Sequence, residues 1–198
     1  MPCASNELLT EKHAGFVHSL DKRTSRMEYW TSLHLRISGI YWGASAMAVM
    51  NRLSEMPRDP IVSFALSCQN EDGGFGGNIA LDSHLLYTLS AVQVLCLFQA
   101  EDQIVDKEGL FNWVAALQRE DGSFQGDKWG EIDTRFTYCA MNCLALLGQL
   151  HRINIPAAVN YIMSCQNWDA GFGVSPGAES HAGQIFCCVG ALRIANAM

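Results

Sequence analysis

SCQNEDGGFGG (67–77), ALQREDGSFQG (116–126) and SCQNWDAGFGV (164–174) are three versions of one segment. Asp72, Asp121 and Asp169 are 49 and 48 residues apart, and Phe75, Phe124 and Phe172 keep the same steps. Matched Gln, Asp, Gly and Phe at a period of this size are the mark of a repeat architecture, in which each unit is one supersecondary element stacked on the next. Before each segment stands an apolar-periodic stretch, about 59–69, 106–118 and 155–166, in which residues such as Val159, Ile162 and Met163 mark one helical face. Pro60 and Pro156 lie near the starts of these stretches, where a missing N–H costs little. After each Gly-rich loop (70–82, 119–132, 167–179) comes a second helix, about 83–98, 134–148 and 180–195. LLYTLSAVQVLCLF (85–98) is apolar on nearly every side, as a helix buried all round must be. Amphipathic and fully apolar helices thus alternate, which describes an α-α double ring with the apolar set inside. Residues 6–21 and 28–52 supply two further helices, and no stretch alternates with the period of a strand. The expected fold is all-α, a double ring of helices in one domain over 1–198.

Composition narrows the function. Hydrophobic residues make up 49% of the 198, charged residues 17%, and the net charge is -7, so a packed core is expected and nucleic acid is not an expected partner. No run of apolar residues is long enough for a transmembrane helix, and MPCASNELLTEKHAGF lacks a basic-then-apolar leader, so a cytoplasmic protein is expected. Seven of the eight cysteines, all but Cys3, lie in helical runs and read as reduced thiols acting as small hydrophobes. Cys139 and Cys143 stand one helical turn apart, but no third ligand is spaced to complete a metal site. The Gly-rich loops lack the Lys-Ser/Thr of a phosphate-cradling P-loop.

Candidate site residues gather at the starts of the inner helices. Arg36, His84, Arg135 and His181 read as one position, at steps of 48, 51 and 46, with Asp82, Asp133 and Ser180 as helix N-caps. Converging helix N-termini, with the guanidinium of Arg135 and the imidazole of His181, would suit an anion such as a diphosphate. Arg135 could equally pair with Glu131 or Asp133, and His84 could serve only as a satisfied structural histidine. Trp42, Tyr87, Tyr138 and Phe186 lie deeper and would line a cavity for a hydrocarbon attached to that charged head.

WGEIDTRFTYCA (129–140), PGAESHAGQIFCCVGAL (176–192), SGIYWG (38–43) and HLLYTLSAVQ (84–93) resemble the β subunits of protein prenyltransferases, most of all those of type II, the Rab geranylgeranyltransferases. The resemblance runs from about residue 7 to residue 195. It implies an α-α toroid around a lipid funnel and transfer of geranylgeranyl from its diphosphate to C-terminal cysteines of Rab GTPases. It also implies an α subunit in a heterodimer and a Rab escort protein. By motif, His181, Ala182 and Gly183 would meet geranylgeranyl diphosphate, and Arg135, Tyr138 and Trp42 would line its pocket. Ser38 stands where farnesyl enzymes carry a bulky Trp and would leave room for a longer lipid. The family's zinc ligands, an Asp-x-Cys pair and a later His, lie beyond the Ser-His-Ala-Gly-Gln run and have no counterpart in 1–198, so neither a catalytic residue nor a metal ligand is assigned. The chain is expected to match the N-terminal part of such a subunit, so that its α-α toroid ring is incomplete, and to be inactive alone, the alternative being a non-catalytic isoform that holds the α subunit or another partner. Terpene cyclases share Gln-x-x-Asp-Gly repeats but protonate through an Asp-rich run that is absent here.

Overall fold

A computed structural model describes residues 8–20 and 22–198. The helices are α1 (Thr10–Leu20), α2 (Met27–Thr31), α3 (Arg36–Val49), α4 (Arg58–Ser67), α5 (Leu85–Leu97), α6 (Lys107–Ala116), α7 (Thr134–Leu146), α8 (Ile155–Ser164) and α9 (Ala182–Ile194). Among the described residues there is no strand; isolated bridges, Gln69 with Phe75, Gln118 with Phe124 and Gln166 with Phe172, pinch each Gly-rich loop shut. The helices expected over 59–69, 83–98, 106–118, 134–148, 155–166 and 180–195 are present with ends shifted by at most two residues; the one expected over 6–21 is seen at Thr10–Leu20, with 6, 7 and 21 outside the described residues, and the single helix expected over 28–52 is broken. A 3-10 turn at Leu33–Leu35 separates α2 from α3. The turn lets Leu33 O accept from Asn78 Nδ2 at 3.0 Å, a contact with the first Gly-rich loop that a continuous helix could not make.

Helices α3, α5, α7 and α9 pack side by side in one direction, and α4, α6 and α8 return the chain outside them. The core lies between the layers: Leu85, Val92, Leu95, Leu110, Met141, Leu144 and Ile162 are fully buried. Phe75 and Phe124 are 0% exposed and Phe172 4%, so the repeated Phe plugs the gap between an outer and an inner helix.

Each loop is locked by its Asp. Asp72, Asp121 and Asp169 accept, through Oδ1, from the N–H two residues on, Gly74, Ser123 and Gly171, at 3.0, 3.0 and 2.9 Å. The same oxygen takes a hydroxyl proton from Ser83 (2.7 Å), Ser123 (2.6 Å) or Ser180 (2.7 Å). In the second copy the serine comes from inside the loop, and Ile132 fills the place of Ser83 and Ser180. At the position of Ser123 the first and third copies hold glycine, since a Cβ at Gly74 would lie 2.6 Å from Ser83 Cβ, and one at Gly171 2.6 Å from Ser180 Oγ.

Three links set the stacking register. Gln69 Nε2 donates to Asp106 O (2.9 Å) while its Oε1 accepts from Asp106 N (3.2 Å), and Gln118 does the same with Asn154 at 2.9 and 2.8 Å. Asp106 and Asn154 are themselves N-caps, of α6 and α8. Gly73 and Gly122, at φ +91° and +88°, let the loop backbone lie against Gly109 of α6 and Ala157 of α8. Finally, the N–H groups of Ile37, Leu85 and Thr134 donate to the carbonyls of Gly77, Gly126 and Val174 in the following loop, at 3.0, 2.8 and 3.1 Å.

This register corrects two sequence expectations. The residues preceding Ile37, Leu85, Thr134 and Ala182 are Arg36, His84, Asp133 and His181, at steps of 48, 49 and 48. Asp133, not Arg135, is thus the counterpart of His84 and His181. The inner caps are also His84, Asp133 and His181 rather than Asp82, Asp133 and Ser180. Imidazole Nδ1 and carboxylate Oδ1 both accept from the N–H two residues on: Leu86 to His84 at 3.1 Å, Arg135 to Asp133 at 2.8 Å and Gly183 to His181 at 3.0 Å. Ser180 is committed to Asp169, and Asp82 lies outside the helix, 3.5 Å from Lys128 Nζ.

Candidate functional site

In this register the faces of α3, α5, α7 and α9 turned away from the outer helices form matched rows, because side chains three or four apart share one helical face. At the cap end stand Ser38, Leu86, Arg135 and Gly183. Next come Tyr41, Leu89, Tyr138 and Phe186, then Ser45, Gln93, Asn142 and Gly190. Between α3, α5 and α7 the wall holds a groove of about 320 Å³ lined by Tyr41, Ser45, Gln93, Cys96, Leu97, Asn142 and Leu146.

The cap end is less cationic than its residue types suggest. Asp133 is 5% exposed, and its Oδ2 receives both Nε (2.8 Å) and Nη2 (2.7 Å) of Arg135. This bond raises the affinity of the guanidinium for its proton and offsets much of its charge. Arg135 still presents unused N–H groups at the half-exposed end of its side chain. His84 packs edge-on to Phe136 at 5.3 Å, and burial pushes its pKa below the usual 6.5. The histidine is therefore neutral at pH 7, with Nδ1 capping α5. His181 is exposed; its Nδ1 is taken by Gly183, so the neutral ring carries its proton on Nε2 and offers a donor to solvent.

Further down, Tyr138 and Phe186 meet edge to face with centroids 5.7 Å apart. Gly190 makes room for them: a Cβ there would lie 2.7 Å from Tyr138 Cε2. Burial raises the pKa of the Tyr138 phenol, which accepts from Asn142 Nδ2 at 3.1 Å.

Of the residues expected from sequence, the rows bring together Ser38, Arg135, Tyr138 and Gly183, with His181 and Ala182 at the adjoining start of α9. Ser38 is only 3% exposed and shares a 3.0 Å hydrogen bond with Ser90 of α5, so its hydroxyl faces the neighbouring helix. Trp42 is a different case. Its counterpart on α5, Ser90, faces the preceding inner helix, which puts Trp42 on the leading flank of α3, 65% exposed. Tyr87 is one position out of phase with the wall; it packs against the His84 ring at 5.5 Å and beside Gly77. Sequence reading missed Tyr41, Gln93 and Asn142. The signal that finds them is the 48–49-residue step applied to Phe186 and Gly190, which lands on Tyr138 and Tyr41 and on Asn142 and Gln93.

Among the described residues no group of three or more His, Cys, Asp or Glu is placed to hold a metal ion. Cys139 and Cys143 are buried in the core; burial drives both thiol pKa values up, that of Cys143 to about 12, which disfavours the thiolates that zinc requires. The residues present do not fit the zinc ion that the resemblance implies. Nor is any helix among the described residues long and apolar enough to cross a membrane.

Comparison with known proteins agrees with this arrangement. The chain is 45% identical over 192 residues to the geranylgeranyl transferase type-2 subunit beta of Saccharomyces cerevisiae, covering 96% of this chain and 59% of the relative. The protein of the same description in Candida albicans is 42% identical over 196 residues, covering 93% and 57%. Among solved structures, the Candida albicans protein geranylgeranyltransferase-I complexed with GGPP superposes with a TM-score of 0.79 at 18% identity, over 96% of this chain and 60% of the other, a likeness of fold. The chain thus spans less than two thirds of the length of each. The model of the prenyltransferase alpha-alpha toroid domain matches residues 8–198, and with the repeat loops, the stacked inner helices and the rowed wall in agreement, this chain belongs to that family.

Proposed function

We propose that this chain forms part of a type-2 geranylgeranyl transferase β subunit. It would work with an α subunit and an escort protein to transfer geranylgeranyl to C-terminal cysteines of Rab GTPases in the cytoplasm. The observation that carries this reading is 42–45% identity to two such β subunits across 93–96% of the chain. The wall supports it. An aromatic pair, Tyr138 and Phe186, lies below a cap end that offers N–H donors from Arg135 and His181. That order suits a hydrocarbon with a diphosphate head. In this reading Arg135 and His181, with the N-terminus of α9 at Ala182 and Gly183, hold the diphosphate. Tyr138 lies against the hydrocarbon, while Ser38 and Trp42 bound the pocket on the α3 side. Asp133 orients Arg135, so its carboxylate positions the guanidinium rather than touching the ligand. The proposed role of this segment is to bind and orient the lipid.

The test is titration of the chain, alone and with the type-2 α subunit, with a fluorescent geranylgeranyl diphosphate analogue. Saturable binding weakened about tenfold or more by Arg135→Ala is expected, from loss of charge-assisted hydrogen bonds. Absence of saturable binding in both preparations would overturn the reading.

A further inference from the structure

A second cavity, of about 320 Å³, lies away from the inner wall, between the first Gly-rich loop, α6 and Lys128 of the second loop. One side of it is the half-buried indole of Trp113. Gly74 lets that indole lie against the loop, since a Cβ there would be 2.8 Å from Trp113 Cε2. Three carboxylates, Glu71, Asp72 and Asp82, and one ammonium, Lys128, surround the opening. Asp72 gives Oδ1 to Gly74 and Ser83 and keeps Oδ2 without a donor among the described residues. Glu71 has no ion pair or hydrogen bond among them, and the Trp113 N–H has no acceptor. Lys128 reaches Asp82 at 3.5 Å, but the two side chains are 66% and 69% exposed, so this pair is easily displaced.

The preceding repeat shows what covers the same position within the chain. Phe64 of α4 stands 49 residues before Trp113, and Arg36, at the start of α3, holds its guanidinium over the Phe64 ring, 5.3 Å from the centroid. The counterpart of Arg36 on α5 is His84, whose neutral ring packs on Tyr87 and Phe136 instead. The second loop has a cation of its own: Arg119 stands where the first loop has Asn70, and Ser123 and, more weakly, Arg119 hold the Asp121 carboxyl below its usual range. Asn70 is neutral and spends its amide on Leu81 O and Ser83 Oγ. The joint at Trp113 therefore has the aromatic face and the carboxylates, and among the described residues no guanidinium lies between them.

We propose that this cavity takes the arginine side chain of a partner polypeptide, with its guanidinium against the Trp113 indole and its N–H groups shared between Glu71 and Oδ2 of Asp72. A planar fork of donors can stack and bond at once, which the compact, strongly hydrated ammonium of lysine does less well. The volume is at the lower end of small-molecule sites, about 300–1,000 Å³, and suits one side chain. Glu71 and Asp82 are exposed, so the backbone that carries the arginine would run outside the cavity. The excess of carboxylates at the opening, on a chain of net charge -7, favours a basic segment. Free arginine would bring its own carboxylate towards Glu71 and Asp82, so a peptide-linked residue is the better fit. The site does not depend on the function proposed above.

The experiment follows the indole N–H resonance of Trp113 in the isotope-labelled full chain, identified by its loss in Trp113→Phe. The probe is a blocked glycyl-arginyl-glycine peptide; its citrulline and lysine analogues and free arginine are the other arms. The arginine peptide should give a saturable shift with a Kd on the order of 1 mM. Citrulline, of the same shape without the charge, should bind at least about tenfold more weakly. Glu71→Gln should weaken the arginine peptide about threefold, and Lys128→Gln, which removes the competing cation, should strengthen it by about the same factor. Both side chains are exposed, and the remaining resonances show whether each variant is folded; should Glu71→Gln not fold, Lys128→Gln alone decides. No saturable shift, equal affinity for the citrulline or lysine peptide, or unaltered affinity in the folded variants overturns the proposal. Tighter binding of free arginine than of the blocked peptide overturns the polypeptide partner in favour of a small guanidinium ligand.

Discussion

Gly122→Ala separates two reasons why a repeat loop needs glycine. Gly122 sits at φ +88°, and an added Cβ would lie 2.1 Å from Ala157 O and 2.4 Å from Ala157 C, both backbone atoms of α8. Gly177 has a similar dihedral, φ +79°, with nothing within 4 Å of a Cβ. A side chain in left-handed backbone costs about 1–2 kcal/mol, and replacing glycine returns about 0.4–1 kcal/mol by restricting the unfolded chain. Gly177→Ala should therefore cost about 1 kcal/mol or less. Gly122→Ala incurs the same dihedral cost and must also push α8 off the loop, which adds about 1–3 kcal/mol of overpacking. The third copy supports the division, because Ala170 occupies the same loop position at φ +62°. For a chain of this size each kcal/mol moves the thermal midpoint by about 2–4 °C. Gly122→Ala should thus melt on the order of 10 °C lower and Gly177→Ala about 3 °C lower, read by circular dichroism, with urea midpoints as a second measure. Equal losses in the two variants would show that the seat of α8 on the loop is not what requires glycine.

Asp133→Ala removes both the cap of α7 and the partner of Arg135, for an expected loss of about 2–3 kcal/mol in urea unfolding, whereas Asp133→Asn keeps the cap and should lose about 1 kcal/mol; equal losses would refute the capping role. His84 is held below its unfolded pKa of 6.5 by burial, so the unfolded chain takes up the proton first. Stability is then fully present above about pH 6.5 and falls as pH drops below it; His84→Asn, which caps without titrating, should flatten the thermal midpoint between pH 7.5 and 5.5, and an unchanged slope counts against this. Cys139 and Cys143, buried and with raised thiol pKa values, should escape a brief iodoacetamide pulse at pH 8 and react fully in guanidinium, as read by peptide mass mapping; prompt labelling of either in the native chain would refute their burial.

Much of the fold was legible because the loop pattern and the all-round apolarity of the inner helices are local features. The register was less so. Matching charged residues aligned Arg135 with His84, but what repeats is an acceptor that reaches the N–H two residues ahead. Asp133 and His84 supply that acceptor with unlike side chains. The break at Leu33–Leu35 is a tertiary effect, made by Asn78 from another repeat. The site divides in the same way. Arg135, Tyr138 and His181 announce themselves by residue type. The Gln93–Tyr41 pair spans 52 residues and two helices, and becomes visible only when the helices are laid side by side. Tyr87 is singled out by aromatic character and Trp42 by that and by the motif, and neither signal carries the phase that decides which flank of its helix a side chain takes.

The exchanged serine of the second loop has a consequence for how such repeats can recombine. Ser123 with Ile132, and Gly74 with Ser83, are two halves of one solution, each delivering a single hydroxyl to the loop Asp. A crossover between these copies falling inside the loop would produce one chimera with Gly and Ile, leaving the Asp without a hydroxyl. The reciprocal chimera, with Ser and Ser, would bring two side chains into the space that Gly74 leaves open. Tolerated breakpoints should therefore lie in the helices, outside the interval from the loop Asp to the inner cap, and shuffled libraries of these repeats should recover junctions there.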